Sequence, residues 1–515
     1  MIKSNLKLSD EWDVIVIGTG MGGATVGHAL ALKGFSVLFL EKGGEITHND
    51  GRIEETNPEK RLAQGWWPQP MSQSRKNGKF DQIYAAVGCG FGGSSIHYGA
   101  ALERFDHSDF DSLKTSDGSL TQWPIHFKTF LPFYEKAEAL YGITNKKEND
   151  NPQLSKWDLS FLQIMQKNGL KPERLNIAIN YDKDCEECIG KICPRQCKAD
   201  AKTTCLDEAL KQPNCSILDY CEVQTLDADQ NTINHIVATH QGKTIKLRAK
   251  QVILAAGAMH TPQLLLQSKN YFWPNGLANS SDQVGRNLMF HISDMYAVWS
   301  PKKLSRQGLQ KKSLSIRDFY NVNGRRLGYI QSLGLDAGNG HIAMFMKDTL
   351  RKYGIHNNFA LSAITKIPAF VVASILGKAS LFAVSIEDDP SLENRITLNP
   401  DQPNGTSFSY TFPTDIQERA DALYKTFAKH IKPWRMLRIM PKLEINNGHA
   451  CGTCKFGEDP KTSVLNSDCK SHDLENLYVV DSSFMPRSGA ANPSLTIAAN
   501  ALRVAEKITE SLNKR

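Results

Sequence analysis

Short apolar runs, each closed by a glycine or an acid, punctuate this chain from end to end. Asp13-Val14-Ile15-Val16-Ile17 is β-branched and apolar and stops at Gly18, the pattern of a strand buried on both faces. Small and apolar residues then recur at helical spacing from Ala24 to Lys33. Gly34 ends that helix, and Phe35 to Leu40 predicts a second strand that finishes at Glu41. Val252 to Ala256 ends at Gly257 and leads to a predicted helix over Thr261 to Gln267. Asn476 to Asp481 ends in an acid, passes Asn492-Pro493, and leads to a helix over Ser494 to Ser511. Strand, loop and helix units so widely spaced imply one parallel-sheet domain assembled from distant segments. Between them, Val298 to Met440 alternates polar and apolar residues in runs such as Gly328–Gln331, Arg395–Leu398 and Ser407–Tyr410. That alternation predicts an antiparallel sheet over a substrate cavity, so the fold class is α/β with a second, antiparallel domain.

The turn after the first strand, Gly18-Thr19-Gly20-Met21-Gly22-Gly23, completes a dinucleotide-binding fingerprint in its required context. Gly18 permits the tight turn, Gly20 lets backbone approach a pyrophosphate, and Gly23 lets helix pack on strand. The pyrophosphate would sit on the helix N-terminus, where unpaired N–H groups favour an anion. Glu41 suits a ribose 2′-hydroxyl and would repel the 2′-phosphate of NADP. A second turn of this type, Val87 to Ser95, contains Gly92, Gly93 and Ser94, small enough for backbone to touch a ligand.

Length and composition narrow the class. A chain of 515 residues has room for several domains, and 41% hydrophobic with 22% charged residues is ordinary for a soluble enzyme. The net charge of +7 is mild, and no Lys/Arg block points to nucleic acid. Met1 to Lys7 has neither an apolar signal core nor a twin-arginine pair, so the expectation is cytoplasmic, with export alongside a signal-bearing partner left open. No run of about 18 apolar residues exists to span a membrane. Ile364 to Ile386 comes nearest but is interrupted by Lys366, Pro368 and Lys378; it reads as a core or lid helix, with peripheral contact to lipid or a greasy substrate as the alternative.

Eight ordered motifs resemble the glucose–methanol–choline family of flavin oxidoreductases. They are Gly18–Gly23 with Glu41, Gly92 to Tyr98, Gln122 to Ile125, Ala255 to Pro262, Val284 to Leu288, His449 to Thr453, Tyr478 to Asp481, and Asn492 to Ile497. Asn492-Pro493 makes the chain more similar to the branch holding pyranose oxidase, bacterial flavin sugar dehydrogenases, cholesterol oxidase and long-chain alcohol oxidases. The resemblance implies an FAD-binding domain from 11–105, 200–297 and 441–511, a flavin-covering, cysteine-rich insertion at 106–199, and a substrate domain at 298–440. It also implies FAD, contacted by Val223, Gly257, Asp481 and Asn492 besides the two glycine turns, and a small alcohol that loses hydride to flavin N5. His449 matches the family's base and Asn492 its amide partner. His97 lies where some members attach the flavin covalently, and a non-covalent histidine beside the ring is the other reading. The substrate is a hydrophobic alcohol, a sterol or a sugar, with a slight tilt to the hydrophobic from the 364–386 segment.

Five cysteines fall in Cys185-x2-Cys188-x4-Cys193-x3-Cys197-x7-Cys205. In a chain without an export signal this density favours metal over disulfides. Similarity to the sugar dehydrogenases implies an iron–sulfur centre on Cys185, Cys188, Cys193 and Cys197, passing electrons to a protein or quinone acceptor. Structural zinc and free or bridged thiols stay open, as do two other functions: an oxygen-using oxidase without metal, and a non-redox flavin lyase or isomerase.

Overall fold

A computed structural model describes residues 11–49, 55–116, 118–143, 153–308, 310–334 and 379–514. The first strand, Glu11–Ile17, lies at the centre of a seven-stranded sheet, with Val14, Ile15 and Val16 fully buried. On one side it pairs in parallel with Val37–Leu40, which pairs with Cys215–Leu218. On the other it pairs in parallel with the lower half of the twelve-residue strand Lys243–Leu254, whose end also carries Leu477–Val479. The upper half of that long strand turns antiparallel, against Ile233–His240 and then Cys221–Ala228. Segments more than 460 residues apart therefore meet in one sheet, as the scattered apolar runs predict. The helix Met21–Leu32 begins three residues before the predicted start, because its first turn includes the glycines themselves. It packs against the terminal helix Ser494–Asn513.

The antiparallel sheet is present but draws on more of the chain than the alternating region. Its order runs Arg435–Arg438, Met289–Trp299, Ser380–Ile386, Tyr329–Ser332, Leu314–Ile316 and Glu173–Arg174, with Glu444–Cys451 also paired to Met289–Trp299. One face is closed by helices Lys156–Lys167 and Ile416–His430 through Trp157, Phe161, Phe382, Phe427 and Trp434. Arg395–Leu398 and Thr406–Ser409, expected in this sheet, form a separate four-stranded sheet with Met71–Ser74 and Phe80–Ile83. Alternation reports one buried face and not the partner: Ile396 and Phe408 bury against Met71, Met259 and Phe290. Of the apolar segment 364–386, residues up to 378 lie outside the described residues, and Ser380–Ile386 is an inner strand. Among the described residues no helix is long and apolar enough to cross a membrane.

A buried ionic cluster joins this sheet to the loop before the terminal helix. Arg487 donates to Glu387 through Nε at 2.8 Å and Nη2 at 2.6 Å. Arg326 bridges Glu387 and Asp109, and Arg419 donates to the Glu387 carbonyl at 2.9 Å. Burial alone would raise the Glu387 carboxyl, but Arg326 and Arg487 hold it down at about 2. Because its ordinary value is 4.5, this carboxylate contributes stability that is full above that pH and is lost as pH falls towards 2. Glu387→Gln leaves the buried Arg487 guanidinium without its carboxylate and Arg326 with Asp109 alone, and should cost about 3–5 kcal/mol at neutral pH. It should also flatten the loss of stability between about pH 4.5 and 2. Urea titrations across that range read both effects, and an unchanged midpoint at pH 7 would contradict them.

Candidate active site

A cavity of about 620 Å³ opens at the carboxyl ends of the parallel strands, where ligands bind in sheets of this kind. Its wall brings together Gly18, Gly20, Glu41, Gly93, Ser94, His97, Val223, Gly257, Asp481 and His449. Three predicted residues stand just behind it. Gly23 packs helix on strand: a Cβ there would fall 2.1 Å from the Gly18 carbonyl oxygen. Gly92 precedes the short helical turn Gly93–Ile96. Asn492 is followed by Pro493 and Ser494, which do line the cavity, and its amide oxygen is buried without a hydrogen bond. At Gly20, by contrast, a Cβ would meet nothing within 4 Å. The helix beginning at Met21 has no side-chain cap, so its first N–H groups face open space of the size an anion needs.

Two acids at strand ends hold the cavity floor together. Glu41 accepts from Thr19 N at 3.0 Å, Thr19 Oγ1 at 2.7 Å, Gly43 N at 3.2 Å and Gly90 N at 3.1 Å. Thr19 Oγ1 in turn accepts from Gly92 N at 3.2 Å, so the two glycine turns are tied through one side chain. Gly93 sits so close to the first turn that a Cβ would lie 2.9 Å from Gly20 Cα. Asp481 accepts from Gly257 N at 2.9 Å, Thr261 Oγ1 at 2.5 Å, Ser483 N at 2.8 Å and Ser483 Oγ. A carboxylate has about four lone-pair positions, and in both acids the protein itself fills them. Burial raises both carboxyls above their usual range despite these donors.

His449 reaches the cavity from a bulge. Between the pairs His291–Asn446 and Met289–Cys451, one strand advances two residues and the other five. The extra length turns the histidine out of the sheet, a device common beside active sites. His449 Nδ1 lies 2.9 Å from His291 Nδ1 and 3.3 Å from Asn446 Nδ2. His291 Nε2 lies 3.1 Å from the carbonyl oxygen of Ser488, the residue after Arg487 of the ionic cluster. Burial, with His291 and Lys312 nearby, holds His449 well below the usual imidazole range. Burial likewise takes His291 down to about 4.

His97 stacks on Trp66 with ring centroids 3.6 Å apart, and both of its nitrogens are engaged. Nε2 lies 3.0 Å from the Gly65 carbonyl and Nδ1 lies 2.9 Å from Asn49 Nδ2. A carbonyl can only accept, so Nε2 carries the proton and the Nδ1 lone pair accepts from the amide.

The iron–sulfur centre expected on Cys185, Cys188, Cys193 and Cys197 is not supported by the described residues, although the Cys193 thiol lies within hydrogen-bond reach of Cys188 and Cys197. Among the described residues no three His, Cys, Asp or Glu side chains converge closely enough to hold a metal ion. Their loop is organised by Lys198, whose buried ammonium donates to the carbonyls of Ile96 (3.0 Å), Tyr98 (3.1 Å), Cys188 (3.0 Å) and Lys191 (2.7 Å). A buried ammonium with its hydrogens spent on backbone holds those carbonyls in one arrangement.

Sequence reasoning missed His291, Thr19 and Lys198. His291 ends the stretch Val284 to His291 that carries one of the family-like motifs, and only the pairing with the 444–451 strand reveals what it faces.

Family models described as GMC oxidoreductase match residues 12–293 and 390–501. The chain is 25% identical to 6'''-hydroxyparomomycin C oxidase of Streptomyces lividus, over 97% of this chain and 92% of that protein. It is also 25% identical to 2-methyl-1,2-propanediol dehydrogenase of Mycolicibacterium austroafricanum, over 97% and 96%. The solved pyridoxine 4-oxidase from Mesorbium loti shares the fold, with a TM-score of 0.64, 19% identity and coverage of 97% of this chain and 99% of the other.

The Thr19 staple is open to a direct check. Thr19→Val keeps the shape but leaves Gly92 N–H without a partner in the interior and takes one of two donors from a Glu41 oxygen. The expected cost is about 1–3 kcal/mol, read as a lower urea midpoint. A variant as stable as the parent would mean that the hydroxyl does not join the turns.

Proposed function

The chain belongs to the GMC oxidoreductase family, and we propose that it oxidises the CH–OH group of an alcohol, with His449 as the base and FAD held without a covalent bond. It is an FAD-dependent oxidoreductase; bound FAD supplies a hydride acceptor. The residues fit that cofactor: an uncapped helix N-terminus and an open Gly20 receive a pyrophosphate, and Val223 lines the cavity on the strand Cys221–Ala228. Glu41 and Asp481 act here as staples of the surrounding loops, their oxygens being occupied by the protein. His97 stays non-covalent on this reading, because its one lone pair is taken by Asn49.

The observation that carries the proposal is the state of His449. Its Nδ1 is held by the protein, whereas its Nε2 has no hydrogen bond among the described residues and the ring faces the cavity. A neutral imidazole there takes the hydroxyl proton as the hydride departs from the carbon. Asn492, partly exposed next to Pro493 and Ser494 of the cavity wall, orients the hydroxyl group through its amide. Asn446 and Asn447 line the same cavity, and with the two hydroxyl-bearing relatives they favour a hydroxylated polar substrate over a sterol. Whether oxygen or another acceptor drains the electrons is read by admitting air to substrate-bleached enzyme. Recovery of the flavin colour within a turnover marks an oxidase, and persistent bleaching until a dye is added marks a dehydrogenase.

Gly20→Val should yield folded, colourless protein, since the side chain occupies the space reserved for pyrophosphate. Stoichiometric flavin in that variant would remove the assignment of this turn. His449→Ala should keep its flavin but reduce it about 10²–10⁴ times more slowly in anaerobic stopped flow with the best of a panel of sugars, diols and long-chain alcohols. Because His449 is held well below 6.5, the parent enzyme should keep its reduction rate as pH falls through 6.5 and lose it only at lower pH. An acid limb at 6.5 or above would speak against His449.

A further inference from the structure

We propose that His291 is a positioning residue that fixes His449 in the tautomer with its proton on Nδ1, leaving the Nε2 lone pair aimed into the cavity. The inference rests on the reading of His449 as base. It follows from counting protons along three contacts. The Ser488 carbonyl oxygen can only accept, so the 3.1 Å contact with His291 Nε2 places a proton on that nitrogen. A neutral imidazole carries one proton, so His291 Nδ1 is left with a lone pair. The 2.9 Å contact between the two Nδ1 atoms therefore needs its hydrogen from His449. With Nδ1–H spent on His291, the remaining His449 nitrogen, Nε2, is unprotonated.

The alternative can be followed to its end. If Asn446 Nδ2, at 3.3 Å, donated to an unprotonated His449 Nδ1, the hydrogen between the rings would have to come from His291. His291 would then carry protons on both nitrogens. It is 2% exposed, and burial takes it to about 4, so a cation there is disfavoured at neutral pH although Glu387 lies close enough to pull the other way. Lys312, beside His449, adds further positive charge that opposes a cationic pair. The Asn446 amide oxygen accepts from Gly448 N at 3.1 Å, which leaves its Nδ2 at 3.3 Å from His449 Nδ1, a longer contact than the 2.9 Å between the two rings.

The anchor of this relay is rigid. Ser488 Oγ accepts from Asp388 N at 2.9 Å, and its neighbour Arg487 is locked to Glu387. His291 lies on the strand Met289–Trp299 that also carries the bulge-forming partner of His449, so both rings ride on one paired element. The logic is that of a second group orienting a catalytic imidazole through its other nitrogen.

Two variants and one spectrum test it on the FAD-loaded enzyme. His291→Phe keeps a ring but can neither accept from His449 nor donate to Ser488. His291→Gln can do both, through its amide oxygen and nitrogen. The expectation is that Phe slows anaerobic flavin reduction about 10- to 100-fold at nearly unchanged KM, with parental flavin content, and that Gln restores most of the rate. In ¹⁵N-histidine-labelled parent enzyme, long-range ¹H–¹⁵N spectra should give His449 a protonated Nδ1 and a bare Nε2, and His291 the reverse. A Phe variant as fast as the parent, a Gln variant no better than Phe, or a His449 protonated on Nε2 would each overturn the inference. If His449→Ala reduces its flavin at the parental rate, the base reading itself fails, a result distinct from any of these. The parental spectrum decides the tautomer even if the Phe variant does not fold.

Discussion

A parallel sheet ends at its carboxyl edge in loops, and the N–H groups of those loops have no ladder to join. Burying them without partners is costly, so something must accept from them. In this protein two strand-terminal carboxylates do so, each taking four donors from more than one loop. Glu41 gathers the first glycine turn, Gly43 two positions on and the second glycine turn. Asp481 gathers the turn at Gly257 and the one at Ser483. The helix N-terminus at Met21 is then left as the uncapped cluster of donors in the floor, ready for a negatively charged ligand.

The other half of the site depends on the second sheet. His449 is carried by a bulge on a strand paired to Met289–Trp299, and the His291 ring on that same strand meets it. Below them lies the cluster of Arg326, Arg487, Glu387 and Asp109. Buried ion pairs of this type add little net stability against apolar replacements, but they tolerate only one arrangement. Here that arrangement fixes the backbone at Ser488, the point from which the histidine pair is oriented.

Local patterns in the sequence carried the first half well. The Gly18–Gly23 turn, the strand ending at Glu41 and the helix at Thr261–Gln267 each follow from neighbours a few residues apart. His449, Asn492 and His97 came from motif resemblance, and only their surroundings required the fold. What escaped were contacts between distant residues: His291 meets His449 across 158 positions and Ser488 across 197. Alternation likewise marked 395–398 and 406–409 as half-buried strands but could not say that Met71–Ser74 would be their neighbour. The cysteine spacing drew attention to the 185–205 loop because thiols are conspicuous, while Lys198, which gathers four of the carbonyls around it, resembles any other lysine in the sequence.

Lys198 spends its hydrogens on carbonyls, a group every residue possesses. The side chains at 96, 98, 188 and 191 can therefore drift without disturbing the clamp, since only their backbone is used. Position 198 has no such freedom, for no other uncharged or shorter side chain supplies several hydrogens at that depth. Tolerance to change in this region follows what each position lends: 96, 98, 188 and 191 lend the clamp a carbonyl alone, whereas Lys198 lends the ammonium and the Cys193 sulfur receives backbone N–H groups of 195, 197 and 198. Change along the loop is therefore expected to be felt most sharply at Lys198, where one side chain gathers four stretches of backbone.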